Sequence, residues 1–116
     1  MNQAAMNNLP DWMLEKETPA IQIKSPKVKA LIFCKESVEK IGCTWDEVIS
    51  KDRKRRIVDA RKCVSKHLIA HGWTTEAAGA QMNRHYSTVV YHKQKFKTLH
   101  EYDAGFRHTW SEFSRL

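Results

Sequence analysis

Long apolar runs are missing from this chain; the longest are a few residues, such as ALIFC. A membrane-spanning helix needs roughly 20 apolar residues, so no such helix is expected. The opening MNQAAMNNLPDWMLEKE has neither a basic n-region nor an apolar h-region. It is therefore not read as a secretory signal, and a cytoplasmic setting is expected. Cysteine is scarce: Cys34, Cys43 and Cys63 are odd in number and irregularly spaced, which argues against a disulfide framework. Cys63, His67 and His71 share a helical face, but a zinc finger opens with a close cysteine pair. Buried thiols are expected, with no metal and no cofactor. No cluster of carboxylates accompanies His67, His71, His85 and His92, so two-metal nuclease chemistry lacks its ligands and no enzyme is expected. Strand alternation, internal repeats and low-complexity tracts are absent as well.

What is present is a concentration of positive charge. Of the net +7 over 116 residues, the segment 51–97 carries twelve basic residues against Asp52, Asp59 and Glu76, hence +9, while the flanks are −1 each. A solvated surface would spread this excess. Its confinement points to a polyanionic partner.

The length suits one all-α domain of five to six helices. Residues 1–24, with Pro10 and Pro19 and no sustained period, read as a flexible arm; Trp12, Met13 and Leu14 form a short apolar cluster within it. From residue 25 onward the pattern is helical. Ser25-Pro26 is an N-cap followed by a favoured first helical residue. Leu31, Cys34, Val38 and Ile41 form a stripe that Gly42 ends. Thr44 and Glu47 form a capping box before Trp45, Val48 and Ile49. Ile57, Arg61, Val64 and Leu68 mark the next helix, closed by Gly72. Its entry, KDRKRR, sets cations where the helix macrodipole disfavours them, a mismatch that a phosphate backbone would relieve. Thr74 caps TEAAGAQM, the turn NRH follows, and a last long helix carries Val89, His92, Phe96 and Leu99 on one stripe. Two helices joined this way read as a helix-turn-helix. Tyr102, Phe106, Trp110 and Phe113 continue at helical spacing and are read as core, with a dimer contact as the alternative.

SKDRKRRIVDARK followed by AAGAQMNRHYSTVVYHKQKF resembles the C-terminal DNA-binding domain of the bacterial replication initiator DnaA. Gly79, Met82, Arg84, Ser87, Thr88, Val89 and Tyr91 fit that family's pattern, over roughly residues 25–116 in helix order and closely over 50–97. The resemblance implies a DnaA domain IV-like, Trp-repressor-like fold and a role in DNA replication or regulation. It implies base contact at Ser87, positions near the backbone at Thr88 and Arg84, and minor-groove insertion at Arg53. Three departures stand out: His85 and Tyr86 replace an Asp-His pair, the turn is one residue shorter, and His92 replaces a small residue. A different DNA target is therefore expected, since neither His85 nor Tyr86 reproduces an aspartate accepting from cytosine. The family's initiators also carry an ATPase, and no phosphate-binding Gly-x-x-x-x-Gly-Lys-Ser/Thr loop occurs here.

The expected function is a stand-alone, sequence-preferring duplex-DNA-binding protein, monomer or homodimer. A recognition helix at about 86–97 would enter the major groove, and the basic 51–56 segment would lie on the backbone or minor groove. The candidate contacts are Arg53, Lys54, Arg55, Arg56, Arg84, His85, Tyr86, Ser87, Thr88 and Lys93. Arg84, Ser87 and Thr88 have a plainer reading too, as turn-capping and first-turn residues. The alternative is a protein–protein adaptor using the N-terminal arm and the C-terminal aromatic stripe. A basic helix does not by itself separate DNA from RNA.

Overall fold

Each helix begins and ends where local chemistry allows it. A computed structural model describes residues 25–116; the expected arm, residues 1–24, lies outside the described residues. Six α-helices and no strand occur among them: α1 Pro26–Lys40, α2 Trp45–Ile49, α3 Arg55–Ala70, α4 Thr75–Gln81, α5 Tyr86–Tyr102 and α6 Ala104–Ser114. Ser25 Oγ accepts the Val28 N–H at 3.1 Å, with Pro26 opening α1. Thr44 and Glu47 exchange both capping-box bonds, at 3.2 and 2.9 Å. Thr74 Oγ1 caps α4 through the Ala77 N–H at 3.1 Å. Gly42 and Gly72, at φ +83° and +93°, turn the chain after α1 and α3 in the left-handed region that a Cβ would strain.

α3 is the axis of the packing. Its Ile57, Ala60, Cys63, Val64 and Leu68 are buried against Ala30, Cys34 and Val38 of α1, Val89 and Phe96 of α5, and Phe106 and Phe113 of α6. Aromatic contacts tie the C-terminal half together: Phe96 meets Phe106 and Trp110 edge-on, with ring centroids 5.3 and 4.9 Å apart. The aromatic stripe expected from Tyr102 onward is only partly core. Tyr102 is 81% exposed, because the chain leaves helical geometry at Asp103 and α6 starts afresh. Asp103 causes the break and starts the next helix, its Oδ1 accepting the Phe106 N–H at 3.0 Å. One periodic pattern thus spans two helices, and the residue before the break faces solvent.

The cysteines are free and buried. Burial pushes the Cys34 thiol up to about 12 and the Cys63 thiol higher still, so neither presents a thiolate. His67 stacks between Phe33 and His71, at 4.7 and 4.1 Å. His92 is buried, with Nδ1 3.5 Å from Ser65 Oγ. Burial lowers both His67 and His92 to about 4 from the ordinary 6.5.

α4 meets α5 at Gly79, which is buried beneath the connecting turn. The N–H groups of Met82 and Arg84 both donate to the Gly79 carbonyl, at 3.0 and 2.8 Å. Asn83 takes φ +58°, which asparagine tolerates better than most residues. A Cβ on Gly79 would lie 2.6 Å from the Arg84 carbonyl oxygen and 3.3 Å from Val89 Cγ2. Gly79→Ala should therefore destabilise the fold by about 1–3 kcal/mol, as overpacking does, read as a lowered urea midpoint.

A pH dependence follows from the buried imidazoles. Between about pH 6.5 and 4 the unfolded chain binds protons at His67 and His92 that the folded chain refuses. Their contribution is complete above pH 6.5 and falls away as the pH drops towards 4. For buried His92 this amounts to roughly 2–3 kcal/mol across the window, by about 1.4 kcal/mol per pH unit. Urea melts at pH 7 and pH 4.5 should differ accordingly, and His92→Gln should flatten the slope.

Candidate functional site

The connection from α2 to α3, residues 50–54, is held by a buried arginine. Arg61 is 3% exposed. Its Nε donates to the Val48 carbonyl at 2.8 Å, Nη1 to Asp52 O at 2.7 Å, and Nη2 to Glu47 O and Ser50 O at 3.1 and 2.8 Å. Within the loop, the Asp52 N–H donates to Ser50 Oγ and the Lys54 N–H to Asp52 Oδ1. A second guanidinium arrives from the α4–α5 turn: Arg84 Nη2 donates to the same Ser50 carbonyl, and Nη1 to Asn83 O at 3.0 Å. Two arginines thus fasten the loop to the start of α5. Arg84 fastens the turn through two of its N–H groups.

The cations at the start of α3 divide into neutralised and unneutralised sets. Arg55 pairs with Asp59 at 3.1 Å and with Asp103 at 2.9 Å. Arg56 reaches the Gly42 carbonyl at 3.0 Å and Glu47 at 3.5 Å. Lys54 pairs with Asp52 at 3.0 Å, an ion pair that, with the Lys54 N–H, holds the Asp52 carboxyl below its usual range. Lys62, 8% exposed, faces Asp59 at 3.7 Å. The macrodipole mismatch at the α3 N-terminus is therefore offset inside the chain, by carboxylates from α2, α3 and the α5–α6 junction. No external phosphate is required for it. Lys51, Arg53, Lys66, Lys93, Lys95 and Lys97, by contrast, pair with no carboxylate among the described residues.

Three of the expected site residues, Arg53, Arg84 and Thr88, line one cleft of about 550 Å³. Lys51, Val58, Arg61, Tyr91 and His92 complete its lining, which holds no carboxylate among the described residues. Lys54, Arg55 and Arg56 lie outside it. Lys93 lines a separate cleft with Lys66, Phe96, Lys97, His100 and one carboxylate residue, Glu101; there the Lys66 ammonium sits 5.6 Å from the Phe96 ring centre.

At the α5 start the N-cap is His85, not a hydroxyl: its Nδ1 lies 3.2 Å from the Ser87 N–H and 2.9 Å from Ser87 Oγ. Nδ1 accepts the Ser87 N–H, and Nε2 has no hydrogen-bond partner among the described residues. Tyr86 is 47% exposed, its ring 4.5 Å from that of His85. His85, Tyr86 and Ser87 are exposed at the start of α5, next in the chain to Thr88, which lines the cleft.

Sequence reasoning set Lys51 within the basic 51–56 segment but not among the named contacts, and passed over Tyr91 and Arg61 as site residues. Tyr91 had a signal, since it follows Thr88 by three positions and shares its helical face. Arg61 had the appearance of a stripe residue, and its carbonyl partners are visible only in three dimensions. Among the described residues no group of His, Cys, Asp or Glu could hold a metal ion, and no helix is long and apolar enough to cross a membrane. No family model, curated protein or solved structure matches the chain.

Arg61→Lys keeps the charge but cannot span four carbonyls. Unmade buried hydrogen bonds cost about 1–3 kcal/mol each, so we expect a loss of roughly 2–4 kcal/mol in urea unfolding, with the steepest rise in amide exchange at residues 50–54.

Proposed function

We propose that this chain binds double-stranded DNA with sequence preference, in the manner of a DnaA C-terminal, helix-turn-helix domain. In this reading α4 and α5 are the two helices of the motif. The start of α5, to about residue 97, enters the major groove, and the α2–α3 loop tracks the backbone or adjoining minor groove. One observation carries the reading: Lys51 and Arg53 of the loop share a carboxylate-free cleft with Thr88 and Tyr91 of α5. A basic element and a polar helix start, 35 residues apart from Arg53 to Thr88 in sequence, meet on one surface.

The roles differ in weight. Lys51 and Arg53 are the backbone or minor-groove contacts, because their charge is not already paired; Lys54, Arg55 and Arg56 contribute less, because theirs is. Tyr86, Ser87 and the open Nε2 of His85 face base edges, and Lys93 and Lys97 hold phosphates further along α5. Arg84 positions the turn. The adaptor alternative draws less support, since Phe106 and Phe113 are buried in the core.

Fluorescence anisotropy on duplexes drawn from a randomised selection tests this. Six phosphate contacts, at the exposed cations Lys51, Arg53, Lys66, Lys93, Lys95 and Lys97, predict a slope of log affinity against log salt near −5, at about −0.9 per phosphate. Arg53→Ala should weaken all duplexes alike and make that slope about one unit shallower. Ser87→Ala should alter the selected sequence and leave the slope unchanged. Absence of duplex binding at low salt, or preference for RNA in direct competition, would overturn the proposal.

A further inference from the structure

The cleft between the α2–α3 loop and α5 has a property beyond its charge. Arg61 and Arg84 donate to one and the same carbonyl oxygen, that of Ser50, which brings two like-charged guanidinium groups together. The acid nearest in sequence, Asp52, directs its carboxylate to Lys54, and none lines the cleft. The charge is felt: burial first, then repulsion from Arg84, lowers the affinity of Arg61 for its proton.

Donor capacity also remains. A guanidinium has five N–H donors; Arg61 uses four, leaving one on Nη1. Arg84 uses two, leaving three. Lys51, Arg53 and the hydroxyls of Thr88 and Tyr91 border the same space. Such a set of rigid N–H forks and flexible cations, with no counter-ion of its own, matches a tetrahedral oxyanion. Neutral His92 at the base adds no competing negative charge.

We propose that this cleft is a discrete seat for a single phosphate group, held by Arg53, Lys51 and the remaining N–H groups of Arg84 and Arg61. The chemistry is that of any phosphate mono- or diester. Its assignment to a backbone phosphodiester rests on the DNA reading above, whereas the anion site does not. Arg61 and Arg84 act as positioning residues first, fixing the loop that presents Lys51 and Arg53. The seat is therefore preformed, and binding needs no loop ordering.

The full chain, titrated with inorganic pyrophosphate against sodium chloride at matched ionic strength and followed by amide and side-chain NMR, tests the seat. Saturable shifts confined to residues 51–54, 61, 84, 88 and 91 are expected. The exposed double variant Lys51→Gln/Arg53→Gln should keep its melting temperature and bind pyrophosphate at least ten-fold more weakly. Shifts no larger than those with chloride, or unchanged binding by the folded double variant, would overturn the seat. The DNA reading is separable. If duplex binds and the double variant weakens it with a shallower salt slope, while pyrophosphate gives shifts no larger than chloride, the seat is wrong and the DNA reading stands. If pyrophosphate or a nucleoside triphosphate binds saturably in the cleft while duplex neither binds nor competes, the seat stands and its phosphate comes from a small molecule.

Discussion

The buried guanidinium of Arg61 is the constraint on which the site depends. A charge taken out of water is costly unless its hydrogen-bonding capacity is met. Here it is met by carbonyls, from Glu47, Val48, Ser50 and Asp52, and those groups belong to the end of α2 and the loop before α3. Satisfying one side chain therefore dictates the path of a connection that has no regular structure. It also leaves the positive charge intact, as a carboxylate partner would not. Stability and electropositivity arise from the same bonds.

That arrangement divides the basic segment in a way its composition conceals. The run from Lys51 to Arg56 reads as one block of charge, yet Lys54, Arg55 and Arg56 turn towards Asp52, Asp59, Asp103 and Glu47. Exposed pairs of this kind contribute little to stability, about 0–1 kcal/mol each. Their larger effect is on the field, since a paired cation has less to offer an incoming phosphate. Lys51 and Arg53, facing the cleft, keep theirs. Adjacent residues of like charge thus differ in use because helical geometry from Arg55 onward rotates them towards different neighbours.

Much of the architecture was legible beforehand because it is written in short-range rules. Ser25-Pro26, Thr44 with Glu47, Thr74, Gly42 and Gly72 each act within a few residues, and the stripe Ile57, Val64, Leu68 needs only the helical period. The reading was incomplete where a local signal has two outcomes. Tyr102 extends an aromatic period correctly and is nonetheless exposed, because Asp103 ends one helix and caps the next. His85, read as a base contact, has the additional role of N-cap of α5, since its Nδ1 accepts the same N–H a hydroxyl would. Arg84 fastens the turn to Ser50, a partner 34 positions away.

The sequence by itself determined the helical class, the order and most boundaries of the helices, and the segment in which positive charge is concentrated. Those follow from capping chemistry, the helical period and residue counts, all local quantities. Only the tertiary structure decided which cations are neutralised, which arginines are structural, and that Lys51 and Arg53 share a cleft with Thr88 and Tyr91. Ion pairing and cleft formation depend on distances between residues far apart in the chain, and the packing of α3 against its neighbours sets those distances.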